Sequence, residues 1–206
     1  MNKMTRLLAA GFALALAACS SILPQPAPLP SLYRLTPASQ FAASGRVVPV
    51  QLVVDAPTAE AALDTTRIAL TRSPTTLDYF AGAAWTDRLS AMVQTLLIAS
   101  LDNAHRIAAV GPQSGQLRAD VALVTALRHF EAVYRGDGVP QWQIEITAKL
   151  VKMPDRTLIA ARSFSAETEA DRNALPAIVD AADTSWHRAA GEIADWTATV
   201  LAQPVR

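Results

Sequence analysis

The sequence predicts an α+β domain: a largely antiparallel sheet with two main helices packed on one face, preceded by an apolar leader and a Pro-rich tether. Three patterns carry that expectation. Residues 141–150 alternate strictly between apolar and polar side chains, the period of a strand with one buried and one wet face. Two long stretches, 82–101 and 173–202, repeat their apolar residues at helical spacing. Between them lie short Val-rich runs punctuated by Gly and Pro, the signature of further strands and turns.

Taken in order, Leu32-Tyr33-Arg34-Leu35 reads as a first strand stopped by Pro37. Arg46 to Asp55 reads as a second, with Pro49 marking an edge or a bulge because proline cannot donate to a ladder. Arg67 to Thr71 is a short third strand. Pro74 to Ala84 reads as a loop, and Gly82 to Leu101 as a helix with Trp85, Leu89, Met92, Val93, Leu96, Leu97 and Leu101 on one face. Arg106 to Val110 is a strand ended by Gly111-Pro112. Ala119 to Tyr134 and Gln141 to Met153 form a hairpin across Gly136-Asp137-Gly138, and Thr157 to Thr168 adds an antiparallel neighbour after Pro154-Asp155. The last helix runs from Asn173, read as its N-cap, to about Ala202. Its stripe is Leu175, Ile178, Val179, Ala182, Trp186, Ala189, Ile193, Trp196 and Val200, with Pro176 tolerated in the first turn. The expected order is β-β-β-α-β-β-β-β-α.

The leader is an address. Lys3 and Arg6 form a positive start, Leu7 to Ala18 a twelve-residue apolar run, and Leu16-Ala17-Ala18 stands directly before Cys19. A hydrocarbon core needs about 20 apolar residues, so this run is too short for an ordinary spanning helix. Small residues followed at once by the only Cys of the chain match a bacterial lipobox. The thiol of Cys19 takes a diacylglycerol, and the amine freed by cleavage takes a third chain, palmitate being typical. Two or three acyl chains anchor durably, at about 0.8 kcal/mol per buried CH₂. The domain boundaries that follow are a lipoprotein signal peptide over 1–18, lipidated Cys19 and tether over 19–30, and a folded domain over 31–202. Ser20 to Pro30 holds four prolines in eleven residues and favours polyproline II at about 3.1 Å per residue. Ser20 after the Cys, rather than Asp, favours sorting to the outer membrane, facing the periplasm.

The chain has 206 residues, 51% hydrophobic and 17% charged, with 18 basic and 18 acidic side chains. That is too apolar for disorder, and with no basic stripe nucleic acid is a poor partner. One Cys excludes an intrachain disulfide and any Cys₂ or Cys₄ zinc site. His105, His129 and His187 are scattered without a ligand pattern, so no metal is expected. There is no GxSxG elbow, P-loop or GxGxxG, and Cys19 is consumed by lipidation. Glu167 and Glu169 could pair as acid and base, but a solvated strand face accounts for them. No cofactor and no catalytic residue is expected. Leu77, Tyr79 and Phe80 place apolar bulk in the expected loop and form the candidate partner interface. The competing reading folds Tyr79 and Phe80 back on the helix start.

Several blocks together carry a resemblance. The lipobox and tether lead to Tyr33-Arg34-Leu35 and then to a Val-rich strand ending Asp55-Ala56-Pro57. Next come Leu63-Asp64-Thr65-Thr66-Arg67-Ile68 and Tyr79-Phe80-Ala81-Gly82-Ala83-Ala84-Trp85. The chain resembles, from about Ser31 to Leu201, the ABC-type transport auxiliary lipoproteins, which include paraquat-inducible lipoprotein C. That resemblance implies a non-enzymatic outer-membrane subunit beside a mammalian-cell-entry (MCE) type transporter of phospholipid-like substrates. Its implied partners are an MCE-domain periplasmic protein with its permease and ATPase, the bilayer through acylated Cys19, and a possible homo-oligomer. The alternatives are a scaffold or activator lipoprotein for envelope assembly and, last, a lipoprotein hydrolase.

Overall fold

The computed structural model describes residues 29–41, 46–113, 118–136 and 138–203. Cys19, the leader and most of the tether lie outside them. Among the described residues eight strands and two helices follow in the order β-β-β-β-α-β-β-β-β-α, one strand more than the periodicity implies. They are β1 (Ser31–Tyr33), β2 (Val48–Val54), β3 (Arg67–Ser73), β4 (Thr76–Trp85), α1 (Leu89–Asn103), β5 (Ile107–Pro112), β6 (Val121–Val133), β7 (Gln141–Lys152), β8 (Thr157–Glu169) and α2 (Leu175–Leu201).

The sheet is mixed rather than largely antiparallel. The β3–β4, β6–β7 and β7–β8 pairings are antiparallel. The β1–β4, β2–β5, β2–β6 and β3–β6 pairings are parallel. Strand β6 organises it. One edge pairs with β7 along its length. The other edge is shared: Val121–Leu123 pair with β2, Ala126 bridges Thr58, and Ala132–Val133 pair with β3. A strand contacting two others end to end curls the sheet around the helices. Local periodicity cannot reveal this, because parallel partners are distant in sequence and leave the alternation unchanged.

The alternation of β7 is as expected. Trp142, Ile144, Ile146, Ala148 and Leu150 are fully buried beneath the helices, while Gln143, Glu145 and Thr147 point the other way. Helix α2 lies on β7 and β8, α1 on β2 and β5, and both join one core. Trp85, Phe130 and Trp142 meet edge to face with centroids 5.6–6.3 Å apart. Pro49 falls where the β2–β5 register shifts between Val48 and Gln51, a bulge, and it lies beyond the short β2–β6 ladder.

Three expectations are corrected. Strand β4 occupies the expected loop and the first residues of the expected helix; α1 begins at Leu89, and Trp85 sits on the strand. Strand β5 continues through Gly111 to Pro112. Asn173 does not cap α2, whose N-cap is Ala174 with extended backbone. Instead Asn173 Oδ1 accepts the Tyr134 hydroxyl at 2.8 Å.

Candidate functional site

Two of the blocks that carry the resemblance, residues 63–68 and 79–85, meet in space. Helix α1 has no capping side chain of its own. The carboxylate of Asp64, 26 residues away, supplies the acceptor: Oδ1 receives the Ser90 N–H at 3.1 Å. Its other oxygen lies 3.1 Å from the Arg88 guanidinium, which also donates to the Asp64 carbonyl at 3.0 Å. Burial raises the Asp64 pKa, but the Ser90 hydrogen bonds and the Arg88 charge outweigh it, and the net shift is downward. The Thr65 and Thr66 carbonyls accept the N–H groups of Leu89 and Trp85 at 3.1 and 2.7 Å. Arg67 then stacks on Tyr79, 3.4 Å from the ring centroid, and the Tyr79 hydroxyl donates to the Ala62 carbonyl at 2.8 Å.

Strand β4 is interrupted here. Tyr79 pairs with Ala69, yet Ala84 pairs with Arg67, so residues 80–83 hold a bulge absent from β3. Gly82 has φ +65°, which an L side chain rarely adopts. Nothing would touch an added Cβ there, so the backbone angle is the constraint rather than space. Leu77, Tyr79 and Phe80 are half-buried against the core. They therefore sit on a strand, and neither a loop nor a staple on α1 describes them. Ala81 and Gly82 are the exposed crest beside Phe80.

A second feature fastens the amino-terminal end of the domain. Residues 35–38 cross both helices as a strap, with Leu35 and Ala38 buried. Thr36 donates its N–H to Asp183 at 2.6 Å, and its hydroxyl contacts the same carboxylate at 2.9 Å. His187 Nε2 lies 2.8 Å from the Thr36 hydroxyl and 3.1 Å from its carbonyl. The Ala38 N–H donates to Ser100 Oγ at 3.0 Å, and Asn103 donates to the Ala38 carbonyl at 3.0 Å. Hydroxyl, imidazole and carboxylate meet here, but not in relay order. The same ring nitrogen faces both Thr36 and, at 3.6 Å, Asp183, whereas a relay needs the carboxylate on the opposite nitrogen. The arrangement ties a segment down.

Sequence reasoning missed both histidine pairings. Asp183 stands four residues before His187, one helical turn. His129 pairs with Glu131 at 2.7 Å on the same side of β6. His105, at φ 51°, closes the carboxyl end of α1 in a left-handed position. Among the described residues no group of three or more His, Cys, Asp or Glu could hold a metal, and no helix is long and apolar enough to cross a membrane.

The model of the ABC-type transport auxiliary lipoprotein component matches residues 33–194. The chain belongs to this family. It is a member of the transport auxiliary lipoproteins on nearly the whole of its folded part, including both blocks that meet around Asp64 and Tyr79. Among solved structures it is similar to protein XCC0632 from Xanthomonas campestris, at 26% identity and TM-score 0.77, covering 82% of this chain and 95% of that one. An uncharacterized protein shares the fold at 17% identity and TM-score 0.65, covering 82% and 99%. No curated protein matches the chain. As a lipoprotein of this family it is a membrane-anchored envelope component associated with ABC transport.

Proposed function

We propose that the chain is a non-enzymatic, periplasm-facing outer-membrane subunit of an MCE-type ABC system that moves phospholipid-like substrates between membranes. The observation that carries this reading is the family match across residues 33–194. In this reading Cys19 carries the acyl anchor and the Pro-rich tether spaces the domain from the lipid. The strap at Thr36 transmits the anchor's position to both helices rather than to one fraying strand. The β4 crest, with Leu77, Tyr79 and Phe80 behind Ala81 and Gly82, meets the MCE-domain protein. An exposed backbone bulge on a rigid strand, stapled by Arg67–Tyr79, is a preorganised contact, which lowers the ordering cost of association.

The test is affinity purification of the tagged, acylated chain from solubilised envelopes, with its companions identified by mass spectrometry. The expected companions are an MCE-domain protein, an ABC permease and an ATPase. Recovery of cell-wall synthases or outer-membrane assembly factors in their place would establish the scaffold alternative.

A further inference from the structure

Among the described residues the sheet ends in three free edges, on β1, β5 and β8, and they differ in kind. Strand β1 is three residues long, and β5 is six, closing on Gly111-Pro112. Strand β8 runs for thirteen residues and pairs with β7 alone. Natural sheets blunt an open edge with short length, proline, lysine or a bulge. From Ala160 to Ala166 β8 has none of these: its register with β7 is unbroken, and Arg162 is its one charge.

Two bonds fix the phase of the ladder. The Ala170 N–H donates to the Pro140 carbonyl at 3.0 Å, on the β7 side. The Glu167 carbonyl, on the opposite side, accepts the Arg188 guanidinium at 3.1 Å. Backbone groups alternate sides along a strand, so Ala161, Ser163 and Ser165 turn their N–H and C=O groups outward. All three residues are exposed, and among the described residues no other strand or loop backbone bonds them there. The side chains sort by face. Towards α2, Arg162 lies 5.0 Å from the centroid of the Phe164 ring, and the half-exposed Trp196 sets its edge on the same ring. Arg162 has no carboxylate within ion-pair distance among the described residues. On the other face Ser163 and Ser165 stand beside Thr147 and Glu145 of β7, with Glu167 next along.

We infer that the free edge of β8 takes an extended segment of another polypeptide as an added strand. That segment sets apolar and acidic side chains over Trp196 and Arg162, and polar or basic ones beside Glu145 and Glu167. A row of outward N–H and C=O groups is answered in full by another extended backbone. The two faces fix the kind of segment. A second copy of this strand does not fit. Its Ala160, Phe164 and Ala166 offer Arg162 no carboxylate, and its Glu167 offers Glu145 no cation. Strands β3, β6 and β7 separate this edge from the β4 crest, so it is a second contact surface, independent of what meets the crest.

The experiment selects from a phage-displayed library of random twelve-residue peptides on the full chain in phosphatidylcholine nanodiscs. Enriched peptides should alternate apolar and polar residues and carry Asp or Glu on the apolar side. Their binding should slow hydrogen exchange at the amides of Ala161, Ser163 and Ser165. Ser163→Pro deletes one outward N–H that the β7 ladder does not use. It should weaken the selected peptides about tenfold, while Ser163→Ala leaves them unchanged. Selection repeated on Arg162→Glu should turn the acidic preference basic, a readout that holds even if Ser163→Pro lowers the melting temperature. No enrichment over empty nanodiscs, protection outside β8, or an acidic preference that survives Arg162→Glu would overturn the assignment. Concentration-dependent protection of the same amides in the chain alone would also overturn it, naming a second copy as the occupant.

Discussion

The Asp64 carboxylate caps a helix that begins 25 residues after it, accepting the Ser90 N–H at 3.1 Å while Arg88 closes on its other oxygen. The contact joins the loop before β3 to α1, next to the Thr66 carbonyl that accepts the Trp85 N–H. Asp64→Ala should cost about 0.5–2 kcal/mol, the usual worth of a helix N-cap, read as a lower denaturation midpoint. The pH dependence has a definite sign. Asp64 titrates below its ordinary value in the folded state, so its contribution is fully present above the unfolded pKa and is lost as pH falls through the folded pKa. The stability gap between wild type and Asp64→Ala should be constant near neutrality and close in acid. A gap that widened on acidification would contradict the cap.

Thr36 and Asp183 make the strap a local unit. Asp183→Ala removes the acceptor of both Thr36 donors. Hydrogen exchange of the amides in residues 33–38 should speed up by an order of magnitude or more, with the β6–β7 ladder unchanged. Equal protection of the strap in both proteins would show that the burial of Leu35 and Ala38 and the Ala38 bonds to α1 hold it without Asp183.

Trp186 and Trp196 share the stripe of α2 but not its burial. Trp186 is fully buried, whereas Trp196 is half-exposed with its ring edge on Phe164, centroids 5.5 Å apart. Trp186→Ala should cost about 3–5 kcal/mol, and Trp196→Ala clearly less, in chemical denaturation. Equal losses would place both rings in the core.

The legible parts of this fold are those whose signal is local. The alternation of Gln141–Leu150 and the stripe from Leu175 to Val200 report buried faces through their own side chains, and both elements stand where periodicity puts them. Strand β4 was illegible for the converse reason. Trp85, Leu89, Met92 and Val93 continue the helical spacing backwards, and Ala81, Ala83 and Ala84 favour a helix. Pairing with β1 and β3 overrides both preferences. The sign that could have found the break is Thr86-Asp87, polar residues inside an otherwise apolar stripe. The parallel pairings of β6 and the Asp64 cap join residues far apart in sequence, so no window along the chain contains them. Leu77, Tyr79 and Phe80 of the candidate interface lie on a bulged strand rather than in the loop their composition suggests.

In the proposed function Cys19, the single Cys of the chain, carries the acyl anchor, and Cys19→Ser removes it. The chain should move from the membrane fraction to the soluble fraction with its melting temperature unchanged, since Cys19 precedes the folded domain. Unaltered membrane partitioning would refute the lipid anchor.

The most direct test of the proposed partnership is the binding of this domain to an MCE-domain protein of the same organism, measured with the Cys19→Ser chain by light scattering after gel filtration. Two proteins are compared, the otherwise unaltered chain and one carrying Ala81→Arg on the exposed β4 crest, a surface change expected to alter stability by no more than about 0.5 kcal/mol. A co-eluting complex is expected, and Ala81→Arg should abolish it at an unchanged melting temperature. Separate elution of the unaltered chain and the MCE-domain protein would contradict the partnership.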